Sequence, residues 1–380
     1  WHARMAVRNM GITEHLDIWY NPDPFTRHNR HKLDVYVPED PPGGKSGSLA
    51  GETKRDLAPV VIFVHGGGWK RFNRRGFSGI HQNIGRAFAK RGLVTFVPSY
   101  RLTTPSVFQL GIDFSGILLV LSTAVMLFVR ELLSFYTPIA SVVLGYVLAY
   151  VYRCIKPGVM HPAHTEDIAQ AIAWVSSNCE SYGGDPQNIT LVGHSAGAHM
   201  TTLLLLVPRF LREAGAPPAS RFASSVAISG PYNVTRMSRR WFLRTLYLDP
   251  VFGTNRETWT SPESFPLQAV LEASPNQISS LNLPPMLFMN AERDFNLQDH
   301  SNDLLKALRE HVHTRAKTIQ GLNHFNSMTG VGTPGHRAER LIDLASEWAF
   351  GAREVDGEFV VNNDEFLTNG HEEKDSKKDS

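Results

Sequence analysis

From Ile189 to Gly197 the chain reads ITLVGHSAG, an apolar run that ends on a serine between two glycines. A strand over ITLV and helical periodicity over Ala196–Leu206 put Ser195 at a strand–turn–helix junction. So tight a turn leaves no room for bulky neighbours, which accounts for Gly193 and Gly197. It lifts the Ser195 hydroxyl to the amino end of a helix, where peptide dipoles favour negative charge. A serine held this way is a nucleophile once a base can take its proton. The pentapeptide alone recurs by chance; its setting carries the reading.

A second segment suits the other half of such chemistry. Val61–Lys70 reads VIFVHGGGWK, a buried strand emptying into His65, Gly66, Gly67 and Gly68. Successive glycines leave backbone N–H groups uncovered, so a carbonyl oxygen gaining charge can approach them. The N–H of Ala196, next after the serine, is the donor that completes such a hole. A phosphate loop would need G-x-x-x-x-G-K-[ST] leading into a helix, which this segment lacks.

An acid and a histidine should follow the serine in that order. Pro285–Asp294, PMLFMNAERD, is a buried strand opening into a polar loop, with Asp294 as the acid and Glu292 as its local competitor. Gly321–Phe325, GLNHF, supplies His324 as the base. Of the other histidines, His300, His311 and His313 read as surface residues, His199 as a packed core residue, and His161 and His164 as turn or capping residues. The 16 histidines are scattered, with neither H-E-x-x-H nor a Cys/His cluster, so no metal site is expected.

The elements that must position these groups alternate. Strand patterns at Lys32–Pro38, Val60–Val64, Leu93–Val97, Ile189–Val192, Ser224–Ile228 and Met286–Met289 are separated by helical ones. The helical stretches are Phe77–Lys90, Glu166–Ser181, Ala196–Leu206, Asp299–His311 and Ala338–Ala349. Such alternation predicts an α/β fold with a mostly parallel sheet and helices on both faces. Residues 32–351 form the expected domain, after a polar segment 1–31 and before a disordered tail 352–380. The less regular stretch 211–271 is expected to cap the site.

Charge excludes one class of partner. With 38 basic and 36 acidic side chains, no basic excess exists to neutralise nucleic-acid phosphates. Two cysteines, Cys154 and Cys179, make no disulfide framework and favour a reducing compartment. The sequons at Asn188 and Asn233 read as chance matches.

One stretch breaks the pattern. Ser115–Tyr152, within an insert spanning 108–156, is almost wholly apolar, interrupted chiefly by Arg130, Glu131 and Pro138. Both ends must return to one sheet, which excludes a single membrane crossing. Two crossings of about 20 residues each just fit a tight helical hairpin. Arg101, Arg153 and Lys156 at its base put the remaining chain on the cytosolic side, with the endoplasmic reticulum among the candidate membranes. Shallow insertion into one leaflet is an alternative, and a hydrophobic lid would leave the protein soluble in the cytoplasm.

Taken together, HGGGW, PSYRL, YGGDPQNITLVGHSAGAH, Asp294 and His324 resemble the esterase branch of the α/β-hydrolase superfamily over roughly Lys32–Gly351, the insert excepted. Hormone-sensitive-lipase-like esterases share the two glycine motifs but carry aspartate before the serine and a second glycine after the elbow. Here His194 and Ala198 stand at those positions, and GHSAGAH is more similar to small carboxylesterases, prenylcysteine methylesterases and kynurenine formamidases. The resemblance implies the α/β-hydrolase fold, no cofactor, and Gly67, Gly68 and Ala196 as oxyanion donors. It implies hydrolysis of a carboxylic ester, a lipophilic one if the insert meets membrane lipid. Arylformamidase activity and a non-catalytic ligand-binding role are the alternatives.

Overall fold

The structure is a computed structural model that describes residues 11–39, 57–105, 107–128, 136–155, 158–351, 354–355 and 358–359. Eight strands form one sheet: β1 (Ile12–Trp19), β2 (Lys32–Pro38), β3 (Ala58–Val64), β4 (Val94–Pro98), β5 (Gly184–His194), β6 (Ser224–Ile228), β7 (Met286–Arg293) and β8 (Thr314–Asn323). Their order is β1-β2-β4-β3-β5-β6-β7-β8; β1–β2 and β2–β4 pair antiparallel and the rest parallel.

The central strands are continuous apolar runs because both their faces are covered. Val60, Ile62 and Val64 of β3 join a core with α4 (Ala163–Asn178) and α5 (Ala196–Leu206). Val61 and Phe63 point to the opposite face, against α1 (Ile80–Ala89) and the helix Ala338–Gly351, where Phe88, Ile342 and Trp348 are buried. The alternation along a single strand therefore divides the core into two layers.

Two strands carry no apolar pattern in the sequence. β1 lies within the stretch read as a polar N-terminal segment, yet it extends the sheet as its outer strand. β8, at the other edge, buries only Ile319 and Leu322. An edge strand faces solvent along one side and carries charge that discourages further pairing, so its periodicity is weak. The stretch 211–271 includes β6, the strand expected at Ser224–Ile228, inside the sheet. Its irregular part follows β6, as short helices that include Val234–Ser238, Asp249–Phe252 and Pro266–Glu272.

Both sequon asparagines are committed to the fold. Asn188 is buried in β5, and the Asn233 side chain caps the helix Val234–Ser238 by accepting from Arg236 N. After Gly351, Glu354–Val355 and Glu358–Phe359 pair as a short ribbon; the rest of the expected tail lies outside the described residues.

The insert forms two helices, α2 (Val107–Phe128) and α3 (Tyr136–Ile155), packed on each other. Close approach depends on Gly145: a Cβ there would stand 2.7 Å from Ser115 N. Ser115 Oγ donates to Val142 O at 3.2 Å across the pair. At the base, Arg153 donates to the carbonyls of Thr104 (3.1 Å) and Pro105 (2.9 Å). Arg130 and Glu131, which interrupt the apolar run, and the flanking Lys156 lie outside the described residues. Thr137–Ile155 has a mean hydropathy of 1.6 and the length of a membrane crossing, while the apolar stretch Val107–Thr123 is shorter.

Candidate active site

The parallel strands all end at one edge of the sheet, the place where an open α/β fold has its crevice. β5 delivers Ser195 there, β7 leads to Asp294, β8 to His324, and β3 to the His65–Gly68 loop. His324 Nε2 stands 3.1 Å from Ser195 Oγ, and His324 Nδ1 is 2.7 Å from Asp294 Oδ1. The second oxygen of Asp294 accepts from Asn290 Nδ2 at 3.1 Å and Ala291 N at 3.2 Å. Every oxygen of this buried carboxylate is thus occupied, which fixes its direction.

Asp294 is the expected acid and Glu292 its local competitor. The structure brings Asp294 to the histidine, whereas Glu292 is exposed and accepts from Gly321 N at 2.8 Å.

Ser195 sits at φ 54° and ψ −120°, a conformation that side-chain-bearing residues rarely adopt. Strain of this kind costs about 1–3 kcal/mol and persists only where the surroundings enforce it. They do: Ser195 N donates to Ile228 O at 2.8 Å, and a Cβ on Gly193 would lie 2.6 Å from the Ala198 backbone. A Cβ on Gly197 would press on the Val64 carbonyl, so the glycine lets α5 lie against β3.

The glycine loop is held by a buried aromatic stack. His65 lies between Tyr100 (ring centroids 4.4 Å apart) and His81 (5.0 Å). Its Nδ1 donates to Gly66 O at 2.8 Å, and Tyr100 Oη donates to His65 O and Gly66 O at 3.1 and 3.3 Å. Burial holds His65 neutral, well below the usual imidazole range, so the ring acts as a donor and a stacking surface. Gly67 O accepts from Lys70 N and Arg71 N. The carbonyls of His65, Gly66 and Gly67 are thus engaged on the protein side.

Lys70 joins three segments. Its Nζ donates to Gln109 Oε1 of α2 at 2.7 Å and to Leu246 O, and lies 4.3 Å from the centre of the Tyr247 ring. Burial pushes its pKa down to about 8.

The other histidines follow expectation only in part. His300 is buried rather than on the surface: its Nδ1 accepts from Asn233 N at 3.1 Å, and burial lowers its pKa to about 4. His311 and His313 are half-buried, His311 beside Ser279 Oγ at 3.2 Å and His313 stacked on Trp348. His199 is a core residue whose Nε2 donates to Ser264 O at 2.8 Å. His161 lies in the turn before α4, as expected, with its Nε2 donating to Glu263 O at 2.9 Å; His164 is buried in the first turn of α4, its Nε2 2.9 Å from Thr103 Oγ1. His194 packs its ring 5.0 Å from that of His324.

Sequence reasoning gave no role to Tyr100, Lys70, Phe295 or Phe325. The first is hidden in PSYRL, where only a fold could show that its hydroxyl reaches the glycine loop. Phe295 and Phe325 each follow a member of the Asp294–His324 pair, and that adjacency was the available signal.

The sequence also has relatives. A carboxylesterase family model matches residues 165–216, and a model described as BD-FAE matches residues 49–113. A probable isoprenylcysteine alpha-carbonyl methylesterase of Oryza sativa subsp. japonica is 29% identical over 266 residues, covering 68% of this chain and 45% of that protein. A probable carboxylic ester hydrolase of Mycobacterium tuberculosis, LipM, is 30% identical over 153 residues, 40% of this chain and 34% of that one. The chain therefore spans less than half the length of these two curated relatives. Among solved structures, esterase B from Lactobacillus rhamnosis superposes with a TM-score of 0.58 at 16% identity, covering 89% of this chain and 85% of that one. A thermostable esterase from Pseudomonas putida gives 0.56 at 16% identity, with 92% and 85% covered. The sheet and the solved structures give the chain the α/β-hydrolase fold, and the family models and relatives make it similar to esterases.

Proposed function

We propose that this protein is a serine-dependent carboxylic ester hydrolase that works at a membrane surface on a lipophilic ester. The observation that carries the reading is the hydrogen-bonded series Asp294–His324–Ser195, at 2.7 and 3.1 Å, beside the glycine loop. Ser195 Oγ forms a bond to the acyl carbon while His324 Nε2 takes its proton. The carbonyl oxygen gains the charge and is met by the N–H groups of Gly67, Gly68 and Ala196. The C–O bond to the alcohol then breaks as His324 returns the proton to the leaving oxygen. An acyl-Ser195 ester remains, and water activated by the same histidine releases the acid. Asp294, with its other oxygen held by Asn290 and Ala291, keeps Nδ1–H facing it and so leaves Nε2 free to accept.

Membrane association rests on the hairpin. Only 17% of the Thr137–Ile155 window is buried within the protein, unlike a core helix. Ile117, Val120, Leu121, Val143, Val147 and Ile155 are exposed apolar side chains at 45% or more. A patch of that extent on a soluble monomer marks an interaction surface. Arg153 at the base, with Lys156 close by in the sequence, favours the cytosolic side for the hydrolase domain.

The test is turnover of nitrophenyl esters of graded acyl length, a prenylcysteine methyl ester and an N-formyl arylamide, by wild type and Ser195→Ala in detergent. Ester turnover should vanish in the variant; retained turnover overturns the assignment. Preference for the formamide moves the chain to amide hydrolysis.

A further inference from the structure

Two phenylalanines stand beside the base and are otherwise unexplained. Phe295 follows Asp294 and Phe325 follows His324, and each is 63% exposed. Their rings meet the His324 imidazole edge to face, with centroids at 5.4 and 5.6 Å, and meet each other at 5.8 Å. The backbone is bent to permit this. Phe295 and Asn296 both occupy the left-handed region, at φ 52° and 64°, where a bulky side chain is strained. Burial does not explain that strain, since most of the Phe295 ring faces solvent.

The chemistry of His324 says which half of an ester such rings would meet. Its Nε2 must deliver a proton to the oxygen of the departing alcohol, so that oxygen lies against the imidazole. The alcohol group extends from there past the edges of the same ring. The acyl oxygen, by contrast, faces the glycine loop, on the other side of Ser195.

We infer that Phe295 and Phe325 form an aromatic clamp for the alcohol portion of the ester, and that the substrate class is esters of bulky apolar or aromatic alcohols. This rests on the serine-hydrolase reading above and sharpens it. The lipophilic part of the substrate is the leaving alcohol, the reverse of a prenylcysteine methyl ester, whose alcohol is a single carbon. Edge-to-face contact with two rings would hold a planar or polyunsaturated group while its oxygen receives the proton.

The test is a matrix of esters in detergent: acetates of methyl, butyl, benzyl and naphthyl alcohols, and methyl esters of increasing acyl length. Wild type should gain in kcat/KM along the alcohol series more steeply than along the acyl series. Phe295→Ala/Phe325→Ala should lose roughly tenfold or more on naphthyl and benzyl acetates, mainly through KM, the scale at which an apolar pocket discriminates. Methyl acetate should be unchanged, and Phe295→Leu/Phe325→Leu should recover part of the loss. An equal loss on every ester, carried by kcat, would mean that the rings merely hold His324 and overturns the clamp. A loss confined to vesicle-bound substrate, with the alcohol preference intact, would make them a membrane contact and overturns it as well. Wild type inert towards every ester would instead refute the hydrolase reading itself.

Discussion

Two helices of this protein are comparably apolar and have opposite surroundings. In α5, AGAHMTTLLLL, all eleven residues are buried, beneath the sheet edge that carries Ser195. In α3 the outward residues Val143, Leu144, Val147, Leu148 and Val151 are between 41% and 59% exposed. Apolar composition states that a segment must leave water; it does not state what will cover it. For α5 the cover is β5, β6, β3, α4 and the helix Pro266–Glu272. For α3 the cover is α2 and, at its base, the Thr104 and Pro105 carbonyls that Arg153 reaches.

That contrast can be broken most sharply by charge. Leu204→Asp would bury a carboxylate with no partner and should abolish the folded domain, read as loss of soluble protein and of cooperative melting. Val143→Asp/Val147→Asp on α3 should leave the hydrolase domain folded with its melting temperature unchanged, and should move the protein from the membrane pellet to the supernatant. If the α3 pair unfolds the domain, the hairpin is a core element and the membrane reading fails.

Truncation is gentler. Leu204→Ala should cost about 2–5 kcal/mol in denaturant unfolding, the range for cavities in a packed interior. Val143→Ala, by the same measurement in detergent, should stay within about 0.5 kcal/mol, as exposed substitutions do.

Acid should separate the two regions as well. Burial lowers His81, His161 and His300 to about 4 and His164 and His199 to about 3, and no histidine lies between residues 107 and 155. Above about pH 6.5 these groups are neutral whether the chain is folded or not, and their contribution is intact. As pH falls from there towards 4 and then 3, the unfolded chain takes up protons that the folded one refuses. Stability is therefore lost by about 1.4 kcal/mol per pH unit for each such histidine. The hydrolase domain should melt progressively lower between pH 6.5 and 4 while helical dichroism from the hairpin persists in detergent micelles. A flat melting temperature over that range would contradict the burial described.

The two regions were also unequally legible in the sequence. β3, β5, β6 and β7 announce themselves because burial on both faces makes them unbroken apolar runs. β1 and β8 did not, since an edge strand buries so little: Ile319 and Leu322 are all that β8 hides. Ser195 and Asp294 could be read because each directly follows such a strand; His324 follows β8 and was read from the glycine and asparagine beside it and from its order after the other two. Tyr100 could not be assigned, because its contact with Gly66 joins residues 34 apart through the fold. Likewise the burial of His300 depends on the Asn233 loop folding over it, a contact between residues 67 apart.

The central claim is that Ser195 is the nucleophile. Incubating the protein with a fluorophosphonate and mapping the adduct by peptide mass spectrometry tests it directly. A single phosphonyl group on Ser195 is expected, with labelling lost in His324→Ala. An unlabelled protein, or a label on another residue, would contradict it.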